Sequence, residues 1–248
     1  MAFTHGKNAT CLMGAFDLSA YLNSITVSRD IEVADTSTFG TSAAVPRTFI
    51  PGVNNGTISL AGFWDGTQTS GPDERFHAQI VGDQVITTIG QGLSTIGNHA
   101  ELLTVREVKY EIAAELGNAI TIAVDGQIDG TANHGYWLHA KDTAETNGGA
   151  VNYTGVNTGL ATISTIRSTL HVLAFSGTSA TIKIQSSVDN VTYIDRITHT
   201  AATGVTSESK VVTGLTVTGT PTVYIRAVIA AGSVYTSITF GVAGSAAV

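Results

Sequence analysis

A few groupings of acidic and imidazole side chains in this 248-residue chain have spacings that could support chemistry. Asp125 and Asp129 lie four residues apart in an alternating segment. A glycosidase pair needs its carboxyl groups about 5–9.5 Å apart, whereas strand rise would hold these two about 13 Å apart. His134, His139 and Asp142 are metal-ligating types, but they fall on a loop-like stretch with no fourth partner, so they read as surface or rim residues. Cys11 is the single cysteine, which excludes an intrachain disulfide and a cysteine-rich metal site. No glycine-rich phosphate loop, HExxH run or paired-cysteine spacing is present, and no Ser/His/Asp or Cys/His grouping sits in a recognisable context. No cofactor, metal or catalytic activity is therefore expected. What remains is charge placed on strand faces: Asp30 with Glu32, Glu107 with Glu111, and Asp125 with Asp129.

The segments carrying these residues have the period of half-buried strands. From Leu22 to Val33, Ile25, Val27, Ile31 and Val33 alternate with Ser24, Thr26, Ser28, Asp30 and Glu32. Thr57–Trp64 is a second such run, introduced by the turn-forming residues Pro51 to Gly56. Leu102–Leu116 fits a strand with Val108, Tyr110 and Ile112 on one face and Glu107, Lys109 and Glu111 on the other; its helical alternative stacks Val108, Ile112 and Leu116. Gly117-Asn118 then turns into Ile120–Ile128, with Ile122, Val124 and Ile128 opposite Thr121, Asp125, Gln127 and Asp129. Pro72, Asp73 and Glu74 mark a helix start, and Phe76, Ile80 and Val81 give it an apolar stripe ending at Gly82, which predicts one helix over 72–81. The connection of about twenty residues between the first two strands holds Phe39, Val45, Phe49 and Ile50, too apolar for a solvated linker.

Residues 1–20 read as an N-terminal arm, 21–140 as a first β domain and 141–160, rich in Gly, Asn and Thr, as a linker. Residues 161–248 read as a C-terminal β sandwich. Its expected strands are 168–175, 181–187, 193–200, 208–213, 222–229 and 234–242, punctuated by glycines and Asp189-Asn190. That sandwich shows no platform of exposed tryptophans of the kind sugar stacking favours.

Charged residues make up only 12% of the chain, a low share that suits a surface largely covered by copies of itself, though a Thr- and Gly-rich β protein would show the same. The net charge of −7 is unevenly placed. Residues 1–140 hold six Lys/Arg and fourteen Asp/Glu, a net of −8, and residues 141–248 hold six and five, a net of +1. A DNA-gripping surface would be basic; an acidic one repels the polyanion. No apolar run is long enough to predict a signal sequence or a membrane span, so assembly in a cytosol is expected.

The ordered series DLSAYLNSITVSR, DTSTFG, RTFIPG and GTISLAGFWD, followed by EIAAELGNAITIAVDGQIDG and FSGTSATIKIQSSVDNVTYID, resembles the phage tail tube proteins, the major tail proteins of siphovirus-like phages. The resemblance covers most of the chain. It implies a mainly β fold, a tail-tube-type sandwich or barrel with one helix followed by a C-terminal sandwich. It also implies stacked rings, commonly hexameric, in a virion tail that conducts DNA without holding it, with tape measure and terminator proteins as further partners. On this reading Phe39, Arg47, Phe49 and Ile50 are carried by the loop that reaches a neighbouring subunit, and Asp30, Glu32, Asp125 and Asp129 face the channel. A distal or baseplate ring protein, or a host-surface glycan-binding module carried by the C-terminal sandwich, are the alternatives.

Overall fold

The computed structural model describes residues 6–35, 49–67, 71–79, 83–130, 132–146 and 148–248, with backbone alone for Glu32, Ala34, 49–55, Ala78 and Gln79. In chain order the strands begin with β1 (Thr10–Met13), β2 (Phe16–Asp17), β3 (Leu22–Asp35) and β4 (Phe49–Phe63). Helix α1 (Pro72–Gln79) follows, then β5 (Gln84–Gly90), β6 (His99–Ala113), β7 (Thr121–Ile128) and β8 (Asn133–His139). Next come β9 (Ala144–Thr146), β10 (Val151–Asn152), β11 (Val156–Asn157), β12 (Thr162–Ile163) and β13 (Thr165–Ser179). The chain closes with β14 (Ile182–Ser187), β15 (Ile194–Thr198), β16 (Thr206–Val212), β17 (Val217–Thr218), β18 (Tyr224–Ile229) and β19 (Val234–Ala247). The fold is mainly β with antiparallel pairing, as expected, and the expected helix forms over Pro72–Gln79.

These elements divide into two compact units that interleave along the sequence. The larger takes Met1–Leu22, Val85–Thr104 and Asn133–Val248; the smaller takes Asn23–Gln84 and Val105–Ala132. This differs from the sequential division expected at 20, 140 and 160. The expected arm contains β1, which pairs with β2 and β5 and buries Cys11, Leu12 and Met13. The expected linker contains β9, which pairs with β19, and β10 and β11, which pair with β18. Short apolar runs such as TCLM and the valines at 151 and 156 are too brief to show a period, yet each finds a strand edge that satisfies its backbone.

In the larger unit, β16, β13, β19 and β8 lie in that order in one sheet, and β10 and β11 flank β18, β14 and β15 in another. Ile166, Leu170, Val172, Ile238, Phe240 and Val242 of the first meet Ile182, Ile184, Ile197, Ile225, Ala227 and Ile229 of the second in one apolar core. Each such side chain contributes about 1.5–3 kcal/mol on burial. All six strands expected after residue 161 form close to their expected positions. A second cluster of Leu12, Ala100, Leu102, Trp137 and Ala243 forms in the same unit. A Cβ at Gly241 would come within 2.5 Å of the Leu12 side chain, so glycine is what lets β1 approach.

In the smaller unit β7 lies between β4 and the second half of β6. Ile58, Leu60 and Gly62 of β4 oppose Gly126, Val124 and Ile122 of β7 on the buried face, while Ser59 and Ala61 oppose Asp125 and Ala123 on the open face. Residues 49–56 of β4 extend past β7 and have β3 as their neighbour, forming a two-stranded ribbon. Helix α1 carries Asp73 and Glu74 in its first turn, which complements its dipole. The fully buried Phe76 packs on Tyr110, ring centroids 5.8 Å apart, and the Tyr110 hydroxyl donates to the Asp73 carboxylate.

The pairing of β6 with β7 contains a bulge that sequence periodicity does not reveal. Glu107 opposes Gly126, yet Lys109 opposes Asp125, so Val108 is the extra residue, and it is 64% exposed. The bulge exchanges faces. Glu107, expected beside Glu111 on the wet side, turns inward; Lys109 and Glu111 stay on the open side. The first strand also departs from expectation, because Ile31 and Val33, expected to be buried, are 57% and 60% exposed. The pairing of β7 with β4 runs over Thr57–Phe63 and does not extend along the ribbon they occupy.

Candidate assembly surface

Strand alternation assembles the polar face of the smaller unit. β7 contributes Asp125 and Gln127, with Asp129 just beyond its end; β6 contributes Arg106, Lys109 and Glu111; β4 contributes Thr57 and Ser59. The Ser59 hydroxyl donates to Asp125 at 2.7 Å across the strand pair. Arg106 Nε donates to Asp129 at 2.7 Å and Gln84 Nε2 donates to the same oxygen, which together hold the Asp129 carboxyl below its usual range. Lys109 Nζ meets Glu111 at 2.6 Å, and that hydrogen bond, aided by Asp125, holds the lysine charge above its usual range. Three carboxylates and two cations leave this group one negative charge, so the face is a mesh of ion pairs. Asp30 is exposed on β3, where the Ser28 hydroxyl reaches it at 3.4 Å.

Glu32 lies on the β3 backbone, Phe49 and Ile50 on the β4 backbone of the ribbon, and Phe39 and Arg47 fall outside the described residues. Exposed apolar side chains gather at the other end of the sheet. Phe63 and Trp64 close β4, Ile112 lies near the end of β6, and Leu116 and Ile120 flank the turn into β7; all five are exposed. Backbone pairing of Phe63 and Ala113 with Thr121, and of Trp64 N with the Ile120 carbonyl at 3.0 Å, holds them together. Ile112 and Ile120 belong to the apolar faces of their alternating runs, but beside the Gly117-Asn118 turn they are exposed together with Phe63 and Trp64.

In the larger unit Ser168, His199 and Glu208 form a hydrogen-bonded series. The Ser168 hydroxyl donates to His199 Nε2 at 3.1 Å, and His199 Nδ1 donates to Glu208 at 2.8 Å. The order is that of a hydrolytic triad, but Ser168 and His199 are buried. The hollow of about 400 Å³ beside Glu208 is walled by Leu170 and residues 200–207, and neither Ser168 nor His199 reaches it. A nucleophile must meet its substrate at about 3 Å, so this series serves the core. Burial alone would raise Glu208, but bonds from Thr200, His199 and Lys210 more than offset it and hold the carboxyl at about 2. Burial lowers the His199 pKa, and the Glu208 carboxylate partly offsets it.

His139, His134 and Asp142 go to separate partners. His139 is buried, stacked on Phe240 with Nδ1 donating to the Phe240 carbonyl at 2.8 Å. His134 meets Glu101, and Asp142 meets Lys141. Among the described residues no three His, Cys, Asp or Glu side chains are grouped to hold a metal ion, and no helix is long and apolar enough to cross a membrane.

No protein-family model and no curated protein matches the chain. Solved structures similar to it include the virion of a native gene transfer agent particle, at 18% identity and TM-score 0.42 over 53% of this chain and 98% of that one. The SPP1 tail tube is similar at 12% identity and TM-score 0.39, over 52% and 77% of the two chains. The SPP1 Dit protein, described as a hub adsorption apparatus, is similar at 13% identity and TM-score 0.37, over 97% and 99%.

Proposed function

We propose that this chain is a structural protein of a phage tail, whose copies join end to end into rings that stack as a tube for DNA passage. The observation that carries the reading is the pair of unlike apolar surfaces at opposite ends of the smaller unit's sheet. Ile31 and Val33 lie on the ribbon, and Phe63, Trp64, Ile112, Leu116 and Ile120 lie at the far end. Two different patches on one molecule join head to tail, and such contacts close into rings or propagate as filaments. The ordered sequence resemblance to tail tube proteins selects the tube among those outcomes.

In this assembly the open face of β4, β7 and β6, with Asp125 and Asp129, together with Asp30 and Glu32 of β3, borders the channel. DNA is retained by cations free to neutralise phosphate. Here Arg106 is already held by Asp129 and Lys109 by Glu111, so the face offers polarity without grip. Phe39, Arg47, Phe49 and Ile50 act at the neighbouring subunit, tape measure and terminator proteins are the further partners, and the chain's role is structural rather than catalytic.

Negative-stain electron microscopy of the full chain at rising concentration tests this reading. Hollow tubes of stacked rings are expected. Val33→Asp, Phe49→Asp and Trp64→Asp should each leave the circular dichroism spectrum unchanged and abolish assembly. Discrete rings that never stack would instead assign the chain to a distal or baseplate position. Tubes that form normally from all three variants would sink the end-to-end contact.

A further inference from the structure

Glu107 is a carboxyl in an unusual place. It is 6% exposed, and neither of its oxygens has a hydrogen-bond partner among the described residues. An orphaned buried carboxylate costs more than almost any other polar group, and such groups cluster where a charge change is put to use. We propose that Glu107 is a protonation-controlled latch beneath helix α1: neutral, it lets β6 and β7 close under the helix; ionised, it draws water into that layer and loosens the helix from the sheet.

Among the described residues no cation is bonded to Glu107. Across the strand pair stands Gly126, which has no side chain, and a Cβ there would meet Val105 Cγ1 at 2.5 Å and Ile58 Cγ2 at 2.9 Å. β4 brings the aliphatic side chain of Ile58 to this spot. On β7, Asp125 and Gln127 face the other way. On β6, Arg106 and Lys109 lie on the open face, engaged by Asp129 and Glu111, and the next inward residue, Tyr110, has committed its hydroxyl to Asp73. Helix α1 brings Asp73, Glu74 and Arg75; burial lowers the pKa of the Arg75 guanidinium, which Glu74 partly offsets. Tyr110 links the latch to the helix, since it is the inward neighbour of Glu107 and packs on Phe76.

Burial raises the Glu107 carboxyl from its ordinary 4.5 to about 7. The unfolded or opened chain loses this proton first as pH rises, so closure is favoured fully below about 4.5 and weakens progressively up to about 7. From pH 5.5 to 8.5 that separation changes an opening equilibrium that exposes Glu107 by roughly 30-fold.

Hydrogen exchange of the full chain, corrected for intrinsic rates, reads this directly. Peptides covering 72–79, 105–113 and 121–128 should lose about 30-fold in protection between pH 5.5 and 8.5, while Glu107→Gln should keep them within about twofold across the same range. Glu107→Met, of similar length and without charge, serves as the second variant and should behave like the glutamine. Wild-type protection that does not change with pH, or an equal loss in both variants, overturns the latch.

Discussion

His171 sits on β13 with no exposed surface, its Nδ1 donating to the Gly14 carbonyl at 2.6 Å and its Nε2 accepting from the Thr88 hydroxyl at 2.8 Å. Burial lowers this imidazole from its ordinary 6.5 to about 4. The unfolded chain therefore takes up the proton first as pH falls, and the folded larger unit loses stability between about 6.5 and 4. The full separation is worth about 3.4 kcal/mol at about 1.36 kcal/mol per pH unit, and at pH 4.5 about 2.5 kcal/mol of it is lost. His171→Asn removes the titration while an amide N–H can still reach the Gly14 carbonyl. The assay is urea unfolding at pH 7.0 and 4.5, followed by fluorescence of the buried Trp137 in a Trp64→Phe background. Wild type should lose about 2.5 kcal/mol more than the asparagine variant, which moves its urea midpoint by about 1 M. His139 and His199 also have lowered pKa values, but both proteins carry them and their effect cancels. Equal losses in the two proteins would show that burial of His171 does not set its protonation.

Two further outcomes follow from the packing. The Cys11 thiol is buried and pushed up to about 12 by burial, with Asp17 adding to the effect, so the native chain at pH 8 should resist iodoacetamide and react once urea unfolds it; prompt labelling of the native chain would contradict the pairing of β1 with β5. Gly126→Ala should cost about 1–3 kcal/mol in urea unfolding, because the new methyl meets Val105 and Ile58 and overpacks the layer; a neutral effect would mean that β7 stands further from β4 and β6 than described.

What the sequence conveyed was local. The strands after residue 161 were legible because alternation and turn residues repeat within a few positions, and helix α1 because its capping and first-turn acids are contiguous. Asp125 sits on the open face, as its period of two requires. The neighbours that neutralise that face were not legible. A bulge is fixed jointly by two strands, and one extra residue at Val108 sent Glu107 inward while Lys109 remained beside Asp125. β1 was missed because four residues carry no measurable period, and the Ser168, His199 and Glu208 series because its members are brought together by sheet pairing rather than by spacing.

The place of β19 has a consequence for how the chain is made. This strand, Val234–Ala247, is central: it pairs with β13 on one side and with β8 and β9 on the other. β8 and β9 therefore wait for a partner that leaves the ribosome more than ninety residues later. At about 5–20 residues per second that delay lasts several seconds, during which open strand edges must be shielded. Closure of the larger unit thus waits until translation has passed residue 247, and a chain stopped before β19 leaves β8, β9 and β13 without the strand they share.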